Sequence, residues 1–178
     1  MTPVIASAVQ LPFQDNEFDI TVTSDVMEHI PPEMRKKVIG ESLRVARKLA
    51  IFGFPCGQVA WESDRSLHSA YVDANMTPPG WLTEHMEAPF PEPKLFADID
   101  GWQIQQFGSE SITFHSWMMR KEMSLLFVLL SSIGLRAAPY VMEAWLRKAD
   151  RDPYYRQIFA LRRCEEKFRI PRGKRAIE

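Results

Sequence analysis

Asp25, Glu28 and His29 are the residues of this chain best suited by type and spacing to do chemistry. They stand at i, i+3 and i+4, so one helical turn could bring two carboxylates and an imidazole to a common point. Three further histidines, His68, His85 and His115, are each candidate bases, because imidazole titrates near neutrality. The competing reading is that each is a satisfied structural residue. Cys56 closes an apolar run but has no base beside it in sequence. Together with Cys164 it fits neither a disulfide framework nor the closer ligand spacing of a zinc site. A reducing cytoplasm is therefore the expected location.

Elements must hold these residues in place, and composition says what kind. At 178 residues with 46% hydrophobic side chains, the chain is expected to form one domain with a real core. Its 22 basic and 23 acidic residues leave a net charge of -1, so no nucleic-acid partner is expected. A basic run from Lys167 to Arg175 reads as a solvated tail over 166–178. The N-terminus has neither a charged leader nor a continuous apolar segment, so no signal peptide is expected. The longest apolar run, Leu125 to Leu130, reaches Leu135 only through Ser131, Ser132 and Gly134. That is short of the ~20 residues a spanning helix needs, so no transmembrane segment is expected. A buried helix or lid is the preferred reading, a membrane-surface helix the alternative.

Asp19 to Ser24 is β-branched and bounded by polar residues, which predicts a strand. Pro31 and Pro32 then open a helix, since proline's missing N–H costs nothing in a first turn. Met34, Val38, Ser42 and Val45 give it an apolar stripe to about Arg47. Leu49 to Phe54 is the next strand, ended by Gly53-Phe54-Pro55-Cys56-Gly57. Strand, helix and strand at this spacing form a βαβ crossover, which implies an α/β fold with a parallel sheet. Residues 58–100 read as helix and loop. Residues 102–107 and 154–161 read as strands, and 114–149 as two helices divided near Pro139.

Residues 11 to 31 hold Leu-Pro-Phe, then Phe-Asp opening an apolar strand, then Glu-His-Ile-Pro. At these mutual distances the pattern resembles the middle of a class I S-adenosylmethionine-dependent methyltransferase of the type 11 kind. The resemblance is closest over residues 5 to 57 and continues by order of elements to about residue 163. In that family the pattern follows a glycine-rich cofactor loop, whereas here only ten residues precede it. The resemblance therefore implies the C-terminal part of a methyltransferase domain over 1–165. This would be a partial Rossmann-like sheet keeping strands 4, 5, 6 and 7 of the family order 3-2-1-4-5-7-6. Residues 58–100 would be a substrate-side insertion, with Trp81 and His85 at a helix start and His68 nearby.

The resemblance also implies chemistry at particular positions. Ser7 stands where the family has the acidic residue that accepts from the adenine amino group, and Ala8 where a backbone N–H meets the ring. Ser24 and Asp25 would line the methionine end of the cofactor, and His29 would lie nearest the transferred methyl. Two methyltransferase groups, acting on small-RNA 2′-hydroxyls and on ubiquinone precursors, hold a divalent metal with an acid-x-x-Glu-His set like Asp25, Glu28 and His29. The alternative is that Glu28 and His29 only settle the turn before the Pro-Pro helix start. The expected activity is methyl transfer from S-adenosylmethionine to a small-molecule or glycan-like acceptor, with this chain alone inactive. A non-catalytic structural or interaction module of the same descent is the rival. Without strands 1 to 3, the strand at 19–24 would become a sheet edge, and self-association through it is expected.

Overall fold

This computed structural model describes residues 3–97, 99–141, 143–144 and 151–164. Its centre is a parallel pair, β1 (Phe18–Ser24) and β2 (Ala46–Pro55), joined by helix α1 (Arg35–Val45). β2 is the buried strand because almost every residue after Leu49 is apolar, so it can pack on both faces; Ala50, Phe52 and Phe54 are fully enclosed. α1 lays Val38, Ile39, Ser42 and Leu43 against the sheet at helical spacing. The helix expected from Pro31 to Arg47 is in fact a 3-10 turn at Pro32–Met34 followed by α1. β2 starts at Ala46, three residues before the expected Leu49, because Ala46 is drawn into the ladder opposite Phe18.

Two longer strands complete the sheet, β3 (Trp102–Ser111) and β4 (Tyr154–Arg163). The order is β1-β2-β4-β3, with β4 antiparallel to both neighbours. The fold is thus mixed α/β, as expected. Both strands run further than their expected 102–107 and 154–161, since the ladder extends to the pair Ser111 and Tyr154 and to Trp102 and Arg163. Phe96, from a 3-10 turn at Pro93–Phe96, stacks on Phe159 with ring centroids 4.3 Å apart and reaches Phe52 at 5.1 Å and Phe54 at 5.9 Å. These rings lock β2 and β4 together.

Helices α2 (Gln58–Asp73) and α3 (Gly80–Glu84) lie in the stretch 58–100 expected to be helix and loop. Gly57 opens α2 at φ +85°, a conformation that glycine adopts without Cβ strain. α4 (Ile112–Glu122) and α5 (Leu125–Ala137) divide at Met123 and Ser124, a break beyond the one expected near Pro139, where α5 ends at Ala137 and helix resumes after Ala138. The reason is local: the Ser124 carbonyl accepts from Val128 N–H and so begins a new helix, and serine prefers helix starts to helix interiors. α5 is also not the buried helix expected. Leu125, Leu126, Leu129, Leu130 and Ile133 are all more than half exposed. No helix among the described residues is long and apolar enough to cross a membrane. The basic tail expected over 166–178 lies outside the described residues, as do residues 145–150.

Candidate functional site

Open α/β sheets bind ligands beyond the C-terminal ends of their parallel strands, and here that place is polar. β1 ends at Ser24, and the 3-10 turn Met27–His29 carries Glu28 and His29 across the strand end. α3 runs into His85, which is buried. One ligand atom each from Glu28, His29 and His85 lies within 4.8 Å of the others. Arg35 ties the two supporting segments together: its Nε donates to the Ile30 carbonyl at 2.9 Å and its Nη2 to the Pro89 carbonyl at 2.7 Å. A cavity of about 560 Å³ opens beside the cluster, lined by Glu28, His29, Pro31, Glu33, Glu84 and Glu87 among others.

Each member has a defined environment. Burial pushes the Glu28 carboxyl above the ordinary carboxylate range, and its Oε2 has no hydrogen-bond partner among the described residues. His29 places Nδ1 3.3 Å from Glu84. The His29 and His85 rings are 5.4 Å apart. His85 donates Nδ1–H to Asp64 Oδ2 at 2.7 Å, which leaves its other ring nitrogen as the remaining ligand atom. A carboxylate behind a histidine in this way sets the tautomer and ring angle, as in the outer shells of metal sites.

Asp64 is the hub of a second, enclosed layer. It is fully buried on α2 and also accepts from the Tyr155 hydroxyl at 2.8 Å. His115 Nε2 stands 3.7 Å from its other oxygen, a charge contact too long for a hydrogen bond. Burial pushes the Asp64 carboxyl up, but His115, His85 and Tyr155 outweigh it and hold Asp64 below its usual range. For His115 burial works downward, and Asp64 with Glu110 outweighs it, so its pKa is raised. Glu110 accepts from His115 Nδ1 at 2.8 Å, and the His115 ring stacks on Tyr155 at 3.6 Å.

Comparison with known families bears on the first two strands of this sheet. Residues 1–54 match the family model described as a methyltransferase domain. Over these residues the chain is similar to a class I methyltransferase domain. The matched stretch runs through β1 and α1 and ends at Phe54 in β2. Comparison with curated proteins gives no match. Two solved structures are similar. One, from Galdieria sulphuraria, is described as a sarcosine dimethylglycine methyltransferase; it has 17% identity and a TM-score of 0.47, over 88% of this chain and 57% of that one. The other is the MccD protein, at 15% identity and a TM-score of 0.38, over 89% of this chain and 66% of that one. The chain thus spans less than two thirds of either structure's length.

The structure places the expected site residues unevenly. Glu28 and His29 do meet, but their third partner is His85 and not Asp25. Asp25 precedes the turn with φ +53°, so the helical spacing of the triplet is not realised. Its carboxylate is gripped by both Nη1 and Nη2 of Arg156 and by Ser24 Oγ at 3.0 Å. Burial raises the Asp25 pKa, and Arg156 outweighs that and lowers it. Ser7 is exposed, while Ala8 packs against the core. Ala8 and Ser24 line a groove of about 520 Å³ that follows the free edge of β1. Trp81 sits edge-on to His85 at 5.3 Å, and half-buried His68 makes no hydrogen bond or ion pair with the described residues. Cys56 is buried, its thiol pushed up to about 12, which leaves it inert.

Asp64, Tyr155, Glu110, Arg156 and Arg35 escaped the sequence reading. One signal was present for Asp64. It stands between Ala60 and Leu67 on the buried stripe of α2, where an acid with no partner would be costly.

Proposed function

We propose that this chain forms the acceptor-side part of an S-adenosylmethionine-dependent methyltransferase acting on a small-molecule or glycan-like hydroxyl. The observation that carries the reading is the convergence of Glu28, His29 and His85 beyond the end of β1, in a chain whose first 54 residues match a methyltransferase domain. S-adenosylmethionine, when bound, supplies a methyl group on a sulfonium. This chain would contact it through Ala8, Ser24 and the backbone around Asp25, with Ser7 at the adenine end. Those positions fit in part: the groove by Ala8 and Ser24 is open, but the Asp25 carboxylate is already neutralised by Arg156. These 178 residues contain no Gly-x-Gly-x-Gly turn.

The residues' own work would be orientation and proton removal. Glu84 beside Nδ1 would orient the His29 ring, and with no cation bound its other nitrogen would be free to act as general base toward the acceptor. Glu28, His29 and His85 also form a donor set of one carboxylate and two imidazoles, the type that takes a divalent cation and leaves a position open. The unpartnered Glu28 oxygen suits that use. A cation held there would lower the pKa of a bound hydroxyl. The second reading, a non-catalytic module, is favoured by the Arg156 clamp on Asp25 and by the unpaired edge of β1.

Calorimetric titration with S-adenosylhomocysteine, with and without manganese, separates the two. Heat at micromolar ligand supports the enzyme reading, and no heat at millimolar ligand supports the module. For the cation, the melting temperature rises with manganese by mass action, about 2.7 kcal/mol at a hundred times Kd. Glu28→Ala removes that rise, and an unchanged wild-type melt at millimolar manganese refutes the cation site.

A further inference from the structure

α5 turns its apolar side outward. Leu125, Leu129 and Ile133 repeat at every fourth residue with Leu126 and Leu130 beside them, and their exposures run from 54% to 74%. Side chains at this spacing form one continuous face. Beyond the helix, Tyr140 and Val141 extend the exposed apolar surface. From Met123 to Leu135 the chain carries no charged residue. The two serines of α5 add no free donor, because Ser131 and Ser132 both give their hydroxyl hydrogens to the Val128 carbonyl. The helix is anchored from behind, where Phe127 meets Trp117 of α4 edge-on at 5.8 Å.

We propose that this face lies on an anionic lipid bilayer, with α5 in the headgroup plane and its leucines in the acyl boundary. Charge selects this occupant. Lys121 precedes the apolar stretch and Arg136 follows it, against the single carboxylate Glu122 between residues 114 and 141, while Arg120 is held to Ser66 of α2. Cations at both ends of an apolar face match a surface of acidic headgroups. They do not match a second copy of the same helix. Symmetric pairing, parallel or antiparallel, would set the cations of one copy against those of the other. Thirteen residues span only about 20 Å, against a hydrocarbon core of about 30 Å, so the helix lies on the membrane and does not cross it. The inference is independent of methyl transfer.

Flotation of the full chain tests it, using phosphatidylcholine vesicles and vesicles of equal parts phosphatidylcholine and phosphatidylserine. Aggregated protein sinks, so it cannot mimic binding. The chain is expected to rise with the mixed vesicles, and Leu126→Glu with Leu130→Glu to cut the bound fraction about tenfold. Lys121→Gln with Arg136→Gln is expected to abolish the preference for the acidic vesicles while leaving thermal unfolding unchanged. Wild-type protein that stays at the bottom with both vesicle types overturns the proposal. So does a chain that ignores vesicles but forms a dimer that the Leu126→Glu, Leu130→Glu change dissociates.

Discussion

Asp64→Ala is the most revealing single change, because the residue joins three elements while touching no solvent. The substitution removes the acceptor for the His85 Nδ1–H and the Tyr155 O–H, bonds of 2.7 and 2.8 Å. It also removes the charge 3.7 Å from His115. Each buried donor left without a partner costs about 1–3 kcal/mol. Two such donors and a lost buried charge partner give about 3–5 kcal/mol, the range seen when one half of a buried pair is removed. Domains of this size are stable by about 5–15 kcal/mol in all. At about 2–4 °C per kcal/mol, the melting temperature should fall by about 6–20 °C. Asp64→Asn keeps the shape and one acceptor, so it should cost about half as much. Paired urea and thermal unfolding of the three proteins measures this. An alanine variant within about 1 kcal/mol of wild type, or one indistinguishable from asparagine, would refute the account of Asp64 as the hub.

The remaining expectations concern the sheet edge and pH. Among the described residues β1 pairs only with β2, and Val22 on it is 67% exposed, so the chain is expected to self-associate through this edge. Val22→Lys should shift sedimentation toward monomer; a wild-type chain that sediments as a compact monomer at all concentrations would sink the idea. For pH, the raised His115 contributes stability that is complete below about 6.5 and lost as pH rises through its folded value. Asp64, being lowered, contributes above about 3.8 and loses that contribution as pH falls through its folded value. Glu28 is raised by burial, so its charging weakens the fold as pH climbs from about 4.5 through its folded value. The urea midpoint should therefore be highest in mildly acidic solution and decline toward neutral and alkaline pH. His115→Gln should flatten the alkaline limb, and a wild-type midpoint that rises from pH 6 to 9 would contradict the network.

Much of the architecture follows from local pattern. The β-branched run at 19–24, the prolines ahead of α1 and the apolar run into Gly53 each state their own conformation through sterics and burial, with little help from distant residues. The Leu-Pro-Phe to Glu-His-Ile-Pro spacing likewise identified the methyltransferase segment, because it records a fixed order of strand, turn and helix. Long-range contacts are another matter. Nothing near Asp25 in sequence announces Arg156, which reaches it only because antiparallel β4 starts at the end where parallel β1 and β2 finish. Glu28 and His29 meet His85 only because Arg35 draws the loops at Ile30 and Pro89 together. Asp64 reads in sequence as a lone acid in an amphipathic helix, and becomes a hub once α2 packs beneath Tyr155 and His115. A helix of leucines announces burial by composition, yet α5 is exposed, since the space its face would fill is decided by what else packs there. Periodicity reports which side of an element is apolar; only the packed structure determines what that side meets.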